Sequence, residues 1–343
     1  MNMKKILALA IATLLTMATV TYASPAGSGD DTRVFTAMMA MANTPTHPIV
    51  MGAVEFADLL YAKSNGRIVV DVFHSAQLGN ERDVVEGMML NTIQFSAITS
   101  APLSGWTNAF TIFDLPFLIH SLEEGRMLTD SDLGDELLLS LENNGITGIG
   151  WFEHGMRNIT NNVRPIYNPE DLQGIRIRTM ENPMHMDAFR AMGADPVPMA
   201  FGELFTALQQ GAIDAQENPV VNIHSSAFFE VQRYLTFSGH VYAPAPLLVS
   251  SVWLNSLPTD LQQVVREAAA EAQVWMRNKN DEMHVEYLED IINFGMQINY
   301  ISDVNAFAAA TRSVYYTYIG YLVSEEAYAR ANELLENYRN NNL

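Results

Sequence analysis

The sequence predicts an α/β protein built as two lobes joined by crossing strands. Strand and helix signals alternate through 33–99 and again through 146–216, and 343 residues exceed an average single domain. The third observation is 258–294, which holds no Gly, and no Pro after its first residue. A helix over 261–294 would run about 50 Å at 1.5 Å per residue, far enough to brace both lobes. At this point two helices broken near 278–281 remain the alternative.

Each element follows from local pattern. Lys4 and Lys5, an apolar run over 6–20 and the small residues of Thr21-Tyr22-Ala23 form the plan of a secretory signal peptide over 1–23. The run is short for a membrane span, which needs about 20 residues. A Gly-rich polar tail follows at 24–31, then a strand at 33–39. The helix 48–63 carries Ala53, Phe56, Ala57 and Leu60 on one stripe and stops at Asn65-Gly66. Alternation over 67–73 predicts a strand; Asn80 caps a helix with Val84, Val85 and Met88; 93–99 is the next strand. A loop with Pro102, Gly105 and Pro116 leads into one helix ending at 143–145, then a strand at 146–153. The second series is a strand at 157–161, another at 175–179, a helix around 184–192, an extended piece at 196–199, a helix to 210 and a strand at 212–216. Helices around 304–321 and 325–338 finish the chain. This divides it into lobe I, 24–154 plus about 243–282, and lobe II, about 155–242 plus 283–343.

Composition excludes several functions. With 39 acidic against 19 basic residues, a formal charge of −20, the surface repels nucleic acid and anionic lipid. No later window is apolar enough to span a bilayer, so the chain past its leader is expected to be soluble. The absence of cysteine rules out thiol catalysis and disulfides. There is no G-x-S-x-G elbow, P-loop or G-x-G-x-x-G run, and His284 with Glu286 lacks the HExxH spacing of zinc ligands. No cofactor or metal is expected. A protein this acidic can hold an anion only through a local cationic site, which directs attention to its arginines.

Gly174-Ile175-Arg176-Ile177-Arg178-Thr179-Met180 is the most informative segment. Ile175 and Ile177 face one side of the strand, Arg176 and Arg178 the other. Ligands of open α/β sheets sit beyond the carboxyl ends of strands, where Arg178 lies. Its planar fork of donors matches a carboxylate, although pairing with one of the chain's own acids is an equal alternative on spacing alone. Arg157 starts another strand and is the natural second cation. Asn218 ends a strand before Pro219 and offers a donor and an acceptor, or serves as a plain helix cap. Trp106, Phe113 and Phe152 fall near the cleft; core filling is their ordinary role, stacking on a ligand the functional one. Glu153 and Glu217 flank the cleft and would be the acid and base of an enzyme, although no nucleophile stands near them in the sequence.

Together these segments resemble the periplasmic solute-binding proteins of TRAP (tripartite ATP-independent periplasmic) transporters. The matching stretches span nearly all of the chain past its leader: His47-Pro48, the 64–73 run, Gln77-Leu78-Gly79, 113–117, 169–178, 193–199, 207–219 and 230–234. The resemblance implies a periplasmic protein whose two lobes close on a ligand as a hinged trap, with a long helix across both. It implies that Arg178 grips the ligand carboxylate, that Arg157 and Asn218 assist, and that Thr99, His47 and Phe201 stand at the cleft, to which Phe152 is added from its place at a strand end. It implies delivery to a membrane permease and no catalysis; a single copy is the expectation for the working unit, although the last helices could pack on the chain's own lobes or on a second copy. Ala215 departs from the Gly usual in the family. Two arginines, an asparagine and the uncharged Thr99 suit a sugar acid such as a uronate or aldonate; a C4-dicarboxylate or an aromatic or keto acid stays open.

Overall fold

The computed structural model describes residues 33–342, and the expected leader and tail of 1–31 lie outside them. Among the described residues eleven strands form two sheets. In chain order they are β1 Phe35–Ala40, β2 Ile68–Phe73, β3 Phe95–Ala97, β4 Ile146–Met156, β5 Asn158–Asn161, β6 Arg176–Thr179, β7 Asp195–Pro198, β8 Ala215–Asn218, β9 Tyr234–Phe237, β10 Tyr242–Ser250 and β11 Gln297–Tyr300. The first sheet has the order β2-β1-β3-β10-β4, the second β11-β9-β5-β8-β6-β7.

Strands carry the chain between the sheets twice, from β4 to β5 at Arg157 and from β9 to β10 over 238–241. In each sheet the arriving strand, β5 or β10, runs antiparallel to both neighbours, and the remaining pairs are parallel. The crossings are tied together: Arg157 N–H donates to Val241 O at 2.8 Å, and Met156 pairs with Tyr242.

The third connection is the helix Thr259–Phe294, which is continuous through 278–281 and ends at Gly295 with φ +108°. Its buried side chains divide by position. Leu261, Val265, Ala268, Ala269, Ala272 and Met276 pack into the first sheet's core with Phe56, Phe95 and Trp253. Met283, Tyr287 and Ile291 pack with Leu204, Ile223 and Leu235 of the second. At the seam Asn280 reaches Glu153 on β4 (3.4 Å). There Arg126 clamps both Glu153 and Asp281, drawing the middle of the helix onto the crossing strand.

Three expectations need correction. The single helix before Gly145 is two, Leu122–Thr129 and Asp132–Leu139, followed by a 3₁₀ turn at Glu142–Asn144. Ser131 starts the second of these by accepting from Gly134 N–H and donating to Leu128 O (2.7 Å), the local competition that makes serine a cap. The helix placed at 304–321 is also two, Val304–Ala310 and Arg312–Tyr318. They part at buried Thr311, whose hydroxyl turns back to Phe307 O (3.0 Å). The strand β10 was not foreseen, because Pro244 and Pro246 argue against a central strand. Both proline carbonyls accept, from Ser100 and Ile98 N–H, along the loop leaving β3, and that loop requires no donor in return.

The last helix, Glu325–Asn341, bears on the expected division of lobes, which put 283–343 with the second sheet. Its Ala331 and Leu335 enter the core that holds Leu128, Leu137 and Trp151. Arg339 pairs with Glu124 (2.7 Å) and Arg330 with Glu136 (2.6 Å). Its partners are therefore helices that belong with the first sheet.

Candidate functional site

The parallel strands of both sheets end facing one another, and a pocket lies between those ends. Ala42 and Asn43 follow β1, Thr99 follows β3, Met180 follows β6, and Asn218 closes β8. Glu81, the first residue of the helix Glu81–Met89, Asn222 of the helix Val220–Ser225, Phe201 and the crossing residue Arg157 complete the lining with Arg178. Ligands of α/β proteins bind at such carboxyl ends.

Arg178 is held between β7 and β8, opposite Val197 and Gln216, and is 2% exposed. Its Nε–H donates to Met199 O at 2.9 Å, while Nη1 is buried with no hydrogen-bond partner. Burial lowers its pKa to about 10; Glu217 offsets part of this, Arg157 adds to it, and Glu81 and Glu181 offset a little more. This is a cation removed from water without a paired anion.

Arg157 is the opposite case. Its Nε and Nη2 meet the two Glu217 carboxylate oxygens at 2.5 and 2.8 Å, and Nη2 also reaches Glu217 O (2.5 Å) and Asn218 Oδ1 (3.2 Å). Burial pushes the Glu217 carboxyl up, but Arg157 and His240 together hold it well below the usual carboxylate range. Asn218 is oriented from behind by Gln216 Oε1 (2.6 Å), itself tied through Thr160 to Gln232.

A second polar chain supports the first sheet's side. His47 Nδ1 accepts from Ile49 N–H at 3.0 Å, capping the helix Pro48–Lys63 and leaving its proton on Nε2. That nitrogen faces His154 Nδ1 across a long 3.5 Å contact, so His154 carries its own proton on Nε2, toward Thr99 Oγ1 at 3.1 Å. The Thr99 hydroxyl is then free to donate to Glu81, whose Oε1 also takes Thr99 N–H at 2.7 Å. Burial lowers the His47 pKa to about 4, with Asn222 offsetting part, and carries His154 well below its ordinary value. Burial raises Glu81, against the Thr99 donors and the two arginines.

Of the residues singled out in the sequence, Arg178, Arg157, Asn218, Thr99 and Phe201 line this one pocket. His47 and Phe152 do not. His47 is wholly buried behind Thr99, and Phe152 is a core residue of the first lobe beside Ala245 and Met276. The acid–base pair also dissolves: Glu153 is buried outside the lining, bound by Arg126, Tyr242 Oη (2.8 Å) and Asn280, and Glu217 is spent on Arg157. Glu81, Asn43 and Asn222 also line the pocket, although their sequence surroundings do not single them out. Each stands just past a strand or at a helix start, but no spacing rule separates such polar residues from ordinary caps.

Two sheets joined by three crossings, with a buried cation facing a polar pocket between them, define a two-lobed solute-binding protein. The chain belongs to family 7 of the bacterial extracellular solute-binding proteins, whose sequence model matches residues 39–320. It is similar to the 2,3-diketo-L-gulonate-binding periplasmic protein YiaO of Escherichia coli, 32% identical over 260 residues, covering 76% of this chain and 79% of that one. Among solved structures, the sugar acid binding protein DctPAm of Advenella mimigardefordensis in complex with galactonate superposes with a TM-score of 0.87 at 27% identity, over 89% of this chain and 99% of that one. A TRAP periplasmic solute-binding protein from Polaromonas bound to D-erythronate gives 0.84 at 34% identity, over 87% and 98%. The chain is thus a periplasmic solute-binding protein of the TRAP type and not an enzyme. No helix among the described residues is long and apolar enough to cross a membrane.

Proposed function

We propose that this protein captures a sugar acid, a uronate or an aldonate, through an Arg178–carboxylate salt bridge and delivers it as a single copy to a TRAP permease. The observation that carries the reading is the buried Arg178 guanidinium with an unpartnered Nη1. A buried charge is stable only when paired, so the empty pocket favours a carboxylate and disfavours its neutral analogue. Arg157, neutralised by Glu217, contributes shape and remaining N–H directions rather than net charge.

Other lining groups suit hydroxyls. Asn222, Asn43, Thr99 and Asn218 supply neutral donors and acceptors. Relatives whose ligands are galactonate and D-erythronate support the same class. Closure of the lobes about the three crossings would expel water and strengthen the ion pair.

The test is a thermal-shift screen of the mature protein against uronates, aldonates, C4-dicarboxylates and aromatic or keto acids, since a tight ligand raises stability by mass action. The largest shift is expected from a uronate or aldonate. A shift confined to succinate or malate would replace this reading with a dicarboxylate binder.

A further inference from the structure

We propose that Glu81 is a charge filter that admits polyhydroxylated monocarboxylates and rejects the corresponding dicarboxylates. The proposal rests on the sugar-acid reading above and names the half of that class the site accepts. Glu81 lines the pocket with Arg178, Thr99, Asn43 and Phe201, and also lines the adjoining cavity that holds Arg82 and Glu181. Its hydrogen-bonding partner is Thr99, and Arg178 and Arg157 act on it only as more distant charges. Arg82, on that adjoining cavity, lies over the Trp106 ring at 5.1 Å.

The balance of charge does the sorting. Arg157 is matched by Glu217, so Arg178 is the guanidinium left for a ligand. One carboxylate can meet it. A second carboxylate in this pocket would find only Arg157, already matched by Glu217, and would face Glu81, in surroundings where like charges repel far more strongly than in water. A hydroxyl at that place instead donates to the Glu81 carboxylate, which the two Thr99 donors hold in position. Selectivity of this kind works by a built-in repulsion as well as an attraction. A plain role for Glu81, an acid complementing its helix dipole, would be served from solvent and does not require the carboxylate to line the pocket.

Calorimetric titration of the mature protein and of Glu81→Gln with two matched pairs, D-gluconate with D-glucarate and D-galactonate with galactarate, tests the idea. Within each pair one terminal hydroxymethyl is exchanged for a carboxylate. The unmodified protein should prefer the monoacid by about a hundredfold or more. In Glu81→Gln that ratio should shrink at least about tenfold, chiefly through tighter diacid binding, with the melting temperature unchanged. A ratio unmoved in Glu81→Gln, equal binding of monoacid and diacid by the unmodified protein, or loss of both acids by a folded variant each overturns the filter. Should the amide variant fold poorly, Glu81→Ala gives the same ratio. If the unmodified protein binds neither the acids of these pairs nor any uronate, the sugar-acid reading falls and takes the filter with it.

Discussion

Replacing Arg178 with methionine should separate binding from stability, because this side chain burdens the empty fold and serves the occupied one. Its pKa falls from the ordinary guanidinium value to about 10 on burial, a difference worth on the order of 3 kcal/mol. For a base depressed in this way the native state binds its proton less readily than the unfolded chain. The penalty is therefore in full force at pH 7 and fades only as pH rises above about 10. Methionine fills similar space without the charge and gives up only the bond to Met199 O. Ligand-free Arg178→Met should melt at the same temperature as the parent or a few degrees higher. Its affinity for the sugar acid found by screening should drop by about 3–5 kcal/mol, a hundredfold to a few thousandfold, because the carboxylate then enters an apolar wall. Paired calorimetry and thermal melts read both numbers. Retained affinity, or a large fall in ligand-free melting temperature, would show that Arg178 is an ordinary structural residue and refute the reasoning.

Acid should weaken the fold through the histidines behind the pocket. The folded pKa of His47 is about 4 and that of His154 lies well below 6.5, so stability is complete above about pH 6.5 and declines as pH falls toward 4; urea midpoints should follow this slope and flatten in His47→Gln. Phe152→Ala should lower stability by about 3–5 kcal/mol, as for a filled core position, yet leave the affinity of the folded protein within about tenfold of the parent by calorimetry. Arg126→Ala should destabilise by about 3–5 kcal/mol in denaturant titration, since it strands the buried Glu153 carboxylate without its main cation.

Much of this architecture is legible in the sequence. The boundaries 48–63 coincide with the observed helix, and the long helix begins within two residues of its expected start and ends at Phe294. Both are governed by local signals, an apolar stripe and a terminal Gly, that do not depend on distant partners. Arg178 was equally visible, since strand alternation fixes which way it points. What the sequence concealed was pairing. Nothing near Arg157 announces that its charge is met by Glu217, 60 positions away, nor near Glu153 that Arg126, Tyr242 and Asn280 will enclose it. Proline hid β10 because its tolerance depends on a neighbouring loop that needs no donors. Phe152 and His47 face inward because of how β4 and the helix Pro48–Lys63 pack, which is tertiary information.

The threefold connection between the halves has a consequence for how the chain folds. Each sheet takes an inner strand from a segment that has already visited the other, so β10 cannot enter its place until the second sheet has been traversed. The helix Thr259–Phe294 then buries one half of its stripe in each core, and neither core is complete while that helix is frayed. Two bodies that move as a hinge must therefore melt as one: unfolding should be a single cooperative event in which neither half survives as a separable, independently structured fragment.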